Sequence, residues 1–196
     1  MDGADRQSYT AFDGHVRLAR GPLDEVVIQA KRRLTARSSI LIFSDSTGNV
    51  VDFNLRGSQR DILRRLDVFR SPRDGAAPAT AAGPGRPRLG VVAREVSLLP
   101  RHWEWLAIQS GGASATLRRL VDEARLRSSG KDRIRRAQER AHRFLTAIAG
   151  DLPRYEEALR ALYAADEARF RDELAGWPAD IKRHAIALAA PAFRDR

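Results

Sequence analysis

Cysteine is absent from this 196-residue sequence, which excludes disulfide bonds, thiolate metal sites and a cysteine nucleophile. No apolar run approaches the length that a membrane-spanning helix needs, and the acidic start MDGADRQ does not have the pattern of a secretory signal. The sequence also lacks the G-x-S-x-G elbow, the phosphate-binding loop and the H-E-x-x-H motif. These absences favour a cytoplasmic protein that is not an enzyme, with no cofactor and no membrane partner.

Basic residues outnumber acidic ones, 35 to 25, which gives a formal net charge of +10. A chain of this charge is attracted to polyanions, above all to nucleic acid. The excess is spread along the chain and consists almost entirely of arginine. The composition therefore leaves open whether the basic surface is functional or reflects a general preference for arginine.

Residues 1–69 have the pattern of a small ββαββα domain within an α+β fold. Asp13-Gly14 is a favoured two-residue turn between two alternating runs, which predicts a hairpin of residues 9–12 and 15–18. The other predicted elements are a helix beginning at Pro22, strands at 39–43 and 50–55, and a helix capped by Ser58.

Three polar residues of this domain, Asp13, His15 and Asp45, lie in turns or at strand ends. They would form a metal or acid/base site if the fold brought them together, and an enzyme would need a further histidine beside them. Asp, Ser and Gly at such positions more commonly supply the local hydrogen bonds of turns. The sequence favours the turn interpretation.

Residues 70–88 are rich in Pro, Gly and Ala and lack apolar periodicity, which predicts a flexible linker. The end of this linker, 85–88, reads GRPR and is similar to the short core with which extended peptides enter AT-rich minor grooves. A plain linker is the simpler interpretation. It separates the N-terminal domain from a strand-helix-helix module predicted at 89–130.

The module begins with an alternating segment, 92–98, which predicts a strand. Pro100 predicts the start of a short helix, and Gly111-Gly112 predicts a tight turn because glycine adopts positive φ without strain. Ser114 is placed to cap a second helix. The alternative is an ordinary helical hairpin with a core of Trp103, Trp105 and Leu106.

This order of elements, with the pattern V-x-L-x-P-x-x-W-x-W-L from Val96, resembles the ribbon-helix-helix DNA-binding proteins. The resemblance implies a homodimer whose paired strands place their polar face in the major groove of double-stranded DNA. Glu95 departs from it, because a carboxylate on that face is repelled by phosphates. The implied contacts are Ser97 to bases or phosphates, Arg94 and Arg101 to phosphates, and a phosphate anchor at the backbone of Gly112, Ala113 and Ser114.

From Lys131 onward the sequence predicts a bundle of amphipathic helices, 131–196. The first helix carries a dense basic face, and Arg133, Arg135 and Arg136 are predicted as phosphate contacts. The alternative is a solvated face with ion pairs such as Asp132–Arg136 and Glu139–Arg143. His142, His184 and Asp180 are too few for a metal site, so surface pairing or capping is favoured.

Across its length the chain also resembles an uncharacterised bacterial family, domain of unknown function 2239. The segments that carry this are TAFDGH (10–15), DFNLRGS (52–58), GRPRLGVVAREV (85–96), LPRHWEWL (99–106), GGAS (111–114) and WPADI (177–181). The family brings no established activity. The leading hypothesis is a dimeric DNA-binding transcriptional regulator, and the alternative is a non-enzymatic adaptor whose tryptophans and helices form a groove for a protein partner.

Overall fold

A computed structural model describes residues 7–70 and 94–194 of the chain. The predicted linker, apart from its first residue, and the start of the predicted ribbon strand lie outside these residues. Within them, 7–70 and 130–194 form one compact unit and 94–129 form a second. None of the helices in the described ranges has the length and apolar character needed to cross a membrane.

The first unit contains a three-stranded antiparallel sheet in the order β2-β1-β3. The predicted hairpin is confirmed, and Gly14 takes a φ of +52° at its turn. A register shift lies between Ala11 and Phe12 in the pairing of the first two strands. The strands are β1 Tyr9–Asp13, β2 Val16–Gly21 and β3 Ile40–Ser44.

Two helices cover one face of the sheet, α1 Leu23–Arg33 and α2 Gln59–Arg70. Ser58 caps α2 as predicted, since its hydroxyl accepts from the Asp61 N–H while the Asp61 carboxylate accepts from the Ser58 N–H at 2.9 Å. The core on this face includes Ala11, Val26, Val27, Ala30, Ile42, Ile62 and Leu66.

The predicted strand at 50–55 is wrong. Only Val50 forms a bridge, to Phe43, and the Val51 N–H donates to the Ile42 carbonyl at 2.7 Å. The remaining residues do not pair with the sheet. The apolar alternation in residues 50–55 arises because Leu55 is buried and Val51 and Phe53 pack against the α1–α2 core. This packing does not require a strand partner.

The other helices are α3 Pro100–Ala107, α4 Gly112–Ile148, α5 Tyr155–Tyr163, α6 Glu167–Glu173 and α7 Ala179–Ala189, followed by a 3₁₀ turn at Ala190–Ala192. A helix boundary was predicted near Gly130, but α4 runs through it without interruption. A single glycine inside a helix costs only about 1 kcal/mol relative to alanine, so the helix continues.

The second face of the sheet packs against the C-terminal helices. Phe12 and Phe43 alternate with the residues that face α1, and their ring centroids lie 5.5 and 4.9 Å from that of Phe144. The same core takes in Leu145, Leu162, Phe170, Leu174, Ile181 and Leu188. Residues 1–69 and 131–196 were predicted as separate domains, whereas their described parts share this core because β1 is buried on both faces.

Candidate functional site

The described part of the predicted ribbon strand, residues 94–99, is assigned to no strand. Leu99 has extended backbone angles, φ −67° and ψ 151°, and the Arg94 and Ser97 side chains are exposed. A ribbon strand pairs with the same segment of a second protomer, so a single chain gives it no partner. The polar side chains that the sequence assigned to DNA are therefore accessible.

Helix α3 begins at Pro100 as predicted, after Leu99. Leu106 is its buried residue, whereas Trp103 and Trp105 are 44% and 46% exposed. Residues two positions apart point to nearly opposite sides of a helix, so α3 is open on much of its circumference. The predicted core of a simple helical hairpin therefore contains Leu106 but neither tryptophan.

The turn between α3 and α4 depends on two glycines with positive φ, Gly111 at +86° and Gly112 at +74°, as predicted. Two details differ from prediction. Ser114 does not cap α4, since the helix already begins at Gly112. The Gly112 N–H donates to the Gln109 carbonyl at 3.1 Å, which removes it from the predicted phosphate anchor and leaves Ala113 and Ser114.

Large apolar side chains are unusually exposed in the second unit. We call these seven residues the exposed apolar set. They make up more than half of the large hydrophobic residues exposed in the described ranges, although this unit is the smaller of the two. Concentrated exposure of this kind marks interaction surfaces in folded proteins. The set is Val96, Leu99, Trp103, Trp105, Ile108, Val121 and Leu126.

The basic face of α4 is partly paired. Arg133, Arg135 and Arg136 are exposed, and Arg135 forms an ion pair with Asp132 at 3.1 Å. The predicted pair of Glu139 with Arg143 is present at 3.2 Å, whereas Arg136 donates to the Asp132 carbonyl and not to its carboxylate. Exposed pairs of this kind contribute at most about 1 kcal/mol and exchange readily with other anions.

The first unit contains a polar cavity of about 450 Å³ that no local sequence pattern indicates. We call it the Asp45 cavity. The Asp45 carboxylate is buried in its wall and accepts hydrogen bonds from Ser8 at 2.9 Å, Thr10 at 2.8 Å and Arg20 at 2.9 Å. The lining residues are Gln7, Ser8, Arg20, Asp45, Ser46, Arg140, His184, Ala187 and Leu188.

The turn that carries Asp45 is fixed on α4. Gly48 has a φ of +74° and lies against the Arg140 backbone, and the Arg143 guanidinium donates to the Thr47 carbonyl at 3.0 Å. Arg140 leaves the basic face of α4 and is half-buried, and its Nε donates to the Leu188 carbonyl at 2.8 Å. Burial lowers the pKa of Arg140, and the Asp45 carboxylate opposes that shift.

His184 lies in the cavity wall with its ring between Phe12 and Phe144, at centroid distances of 5.4 and 4.7 Å. Its Nε2 is 3.6 Å from Asp45 Oδ1 and has no hydrogen-bond partner. The pKa of His184 is lowered to about 4, mainly by burial and with a contribution from the charges of Arg20, Arg17 and Arg140, while the Asp45 carboxylate opposes the shift. At neutral pH this imidazole is uncharged.

The hypothetical site of Asp13, His15 and Asp45 does not form. Asp13 lies at the opposite end of β1 from Asp45, and its carboxylate accepts from the Ser39 N–H at 2.8 Å, which is turn chemistry. Among the described residues, no cluster of three or more His, Asp or Glu side chains is arranged to hold a metal. Asp45 faces His184 instead, a residue so distant in the sequence that no spacing pattern connects them.

The other predicted polar pairs are local. Asp180 accepts from the Arg17 N–H at 3.0 Å and pairs with Arg183 at 3.1 Å, so it does not share a ligand with His184. His142 Nδ1 lies 2.7 Å from the Tyr163 hydroxyl. These contacts match the pairing interpretation of Asp180 and His142.

The low pKa of His184 predicts acid sensitivity of the fold. Above about pH 6.5 the imidazole is neutral in both states, and its contribution to the free energy of unfolding is fully present. As the pH falls below this value, the unfolded state binds a proton, whereas the folded state binds one only near pH 4, so the folded state loses stability. We expect a loss of about 3 kcal/mol in the free energy of unfolding over this interval. Urea unfolding at several pH values measures it.

His184→Gln should flatten this part of the pH dependence. The control is His142→Gln, which removes an imidazole that is only partly buried and lies outside the Asp45 cavity. Identical pH profiles for wild type and His184→Gln would contradict the assignment.

Comparison with known proteins gives a family. No curated protein and no solved structure matches the chain. A family model described as "Uncharacterized protein conserved in bacteria (DUF2239)" matches residues 8–189, which include β1 to α7 and every residue of the Asp45 cavity except Gln7. The chain therefore belongs to the bacterial DUF2239 family.

Proposed function

We propose that this protein is a DNA-binding homodimer, a transcriptional regulator that uses residues 92–98 of two protomers as an antiparallel ribbon. The observation that carries the proposal is the exposed apolar set, which lies on residues 96–99, on α3 and α4 and, at Ile108, in the turn between these helices. Such a module buries its core only when two copies pair, since one strand has unpaired edges.

In a paired strand, alternation would place Val96 and Leu98 on one face and Ser97 on the other. Val96 is 56% exposed and Leu98 is half-buried. Pairing of two segments covers the apolar face and turns the Ser97 face outward, where it fits a major groove. Arg94 and Arg101 flank this face and form no ion pair with any described residue, which leaves both available to phosphates.

On this proposal, two further places would bind phosphate. The N–H groups of Ala113 and Ser114 lie in the first turn of α4, where the helix dipole favours an anion. Arg133, Arg135 and Arg136 would add sequence-independent attraction along the DNA backbone. Glu95 is exposed beside Ser97, and on this proposal its carboxylate must accept from a cytosine amino group.

The test combines molar mass in solution with binding to random duplex DNA at about 50 and 200 mM salt, the range in which phosphate contacts show themselves. A dimer whose affinity falls steeply with salt supports the proposal. A monomer that does not bind DNA at either salt concentration overturns the proposal.

The adaptor hypothesis makes a different use of the same residues. Trp103 and Trp105 are exposed and would bind a partner helix or peptide. However, they point to different sides of α3 and do not line a common groove. A dimer interface that covers α3 as a whole accounts for both exposures, so we favour DNA binding.

Ser97→Ala is predicted to relax sequence preference without changing salt dependence. A lost base contact removes about 1–3 kcal/mol of discrimination at one base position, whereas the number of neutralised phosphates is unchanged. Arg101→Gln is the matched control, which should weaken binding to all sequences and reduce the salt slope by about one. Selection of preferred sites followed by salt titration of both variants measures the two effects. If Ser97→Ala reduced the salt dependence of binding more than Arg101→Gln does, the prediction for Ser97 would be contradicted.

A further inference from the structure

The Asp45 cavity contains more cationic than anionic groups. Arg20 and Arg140 line it, Asp45 is its one lining carboxylate, and His184 is neutral at ordinary pH. The Asp45 carboxylate is already occupied by three donors, from Ser8, Thr10 and Arg20. The cavity therefore has an excess positive charge that this carboxylate does not cancel.

Both arginines are held by the protein through Nε alone. Arg20 Nε donates to Asp45 and Arg140 Nε donates to the Leu188 carbonyl. Their terminal guanidinium nitrogens form no hydrogen bond with any described residue. A guanidinium anchored in this way presents the remaining donors in a fixed fork, which is the geometry that binds carboxylates and phosphates.

Two further observations indicate a ligand site. His184 is 2% exposed, and its Nε2 has no hydrogen-bond partner, although buried polar atoms in folded proteins nearly always have one. Ala187 and Leu188 supply an apolar wall on the side of α7. A volume of about 450 Å³ is within the range of small-molecule pockets.

We propose that the Asp45 cavity binds a small organic anion, whose carboxylate or phosphate group is held by Arg20 and Arg140 and whose apolar part lies against Ala187 and Leu188. All of these residues belong to one compact unit. The proposal does not depend on DNA binding by residues 94–129, and it holds whether or not the protein is a regulator.

The test uses the full chain without DNA and two probes, inorganic phosphate and malonate, titrated at constant ionic strength against chloride. Chemical shifts of the arginine side chains and of the amides around Ser46 report binding. Saturable shifts concentrated on Arg20, Arg140 and Ser46 support the site. Tighter binding of phosphate indicates a phosphorylated ligand, and tighter binding of malonate indicates a carboxylic acid.

Arg140→Gln should weaken the binding of the better probe about tenfold or more, because it removes a charge-assisted hydrogen bond. The matched control is Arg64→Gln on the exposed face of α2 in the same compact unit, which should change the affinity less than about twofold, as surface charges do. If Arg140→Gln does not fold, Arg20→Gln takes its place. Equal weakening by variant and control, or shifts as large on Arg64 as on Arg20 and Arg140 in the wild type, would overturn the proposal.

His184 supplies an independent readout. Arg20, Arg17 and Arg140 help to hold its pKa down, Asp45 opposes them, and Asp180 on the same helix binds the Arg17 N–H. An anion on Arg20 and Arg140 offsets their charge and therefore raises the pKa of His184. A ring titration that moves to higher pH with the better probe supports the site, and one that stays in place contradicts it.

Discussion

On the ribbon proposal, Val96→Asp is expected to convert the proposed dimer to a monomer and to weaken DNA binding at least about a hundredfold, since half of the proposed phosphate contacts and the paired ribbon would be lost. Val96 is 56% exposed in a single chain and lies on the face that the proposed ribbon buries. In a symmetric dimer the substitution places two carboxylates in one apolar interface. Each would be desolvated and unpaired, and they would repel each other.

The matched control is Val68→Asp. Val68 is 71% exposed on α2 in the other compact unit. The substitution is the same, but it falls on a surface that the proposal assigns neither to the dimer interface nor to DNA. Sedimentation and DNA titration should show wild-type behaviour for this variant. If Val96→Asp remains a dimer and binds DNA like the wild type, the exposed apolar set has another purpose and the ribbon proposal fails.

Gly48→Ala is expected to destabilise the first unit by about 3 kcal/mol or more, because two costs combine. The left-handed φ of +74° is unfavourable for alanine by about 1–3 kcal/mol. A Cβ at this position would also lie 2.7 Å from the carbonyl carbon and 2.8 Å from the Cα of Arg140, overlapping its carbonyl oxygen. A backbone cannot rotate aside as a flexible side chain does, so the turn must leave α4.

Gly14→Ala separates the two costs. Gly14 also has positive φ, +52°, but a Cβ there meets no atom within 4 Å. We therefore expect only the conformational cost, about 1–2 kcal/mol. Denaturant unfolding of both variants measures the difference, and equal losses would mean that the turn does not depend on its contact with α4.

Much of the fold is local and was therefore predictable. The Asp13-Gly14 turn, the start of α1 after Pro22 and the capping pair of Ser58 and Asp61 all follow from neighbouring residues. Amphipathic helices were also predicted in the C-terminal third, where α5, α6 and α7 are observed. Each of these signals lies within a few residues of the structure that it specifies.

The errors arise where distant packing decides the outcome. Residues 50–55 alternate like a strand, but only Val50 forms a bridge to β3, because Val51, Phe53 and Leu55 pack against the core between the sheet and helices α1 and α2. The sequence around Phe12 predicts only that this residue lies on one face of a hairpin. Nothing near it in the sequence indicates that Phe144 packs against that face. The shared core of the N-terminal sheet and C-terminal helices could not be read from the sequence for this reason.

The two candidate sites differ in the same way. Ser97, Arg101 and the Gly111–Ser114 turn are close together in sequence, so resemblance and spacing identified them, and what they bind stays a prediction. The Asp45 cavity combines β2, the turn after β3, α4 and α7. The sequence predicts that Asp45 lies in a turn, but no sequence pattern near Arg20, Arg140 or His184 indicates a shared site. Only the fold brings the four residues together.

The length of α4 has a thermodynamic consequence. No side chain from residue 117 to residue 136 is buried, so this span is stabilised by its own backbone hydrogen bonds and by surface pairs such as Arg119 with Glu123 at 3.2 Å. Near its middle lie Ser128, Ser129 and Gly130, all poorer helix formers than alanine.

Buried residues fix the helix only beyond that span, at Thr116 on one side and from Ala137 onward on the other. Local opening of the middle therefore costs far less free energy than unfolding the Phe144 core. Although α4 is one element by geometry, it comprises a protected C-terminal part and a central part whose amide protons exchange with solvent long before the protein melts.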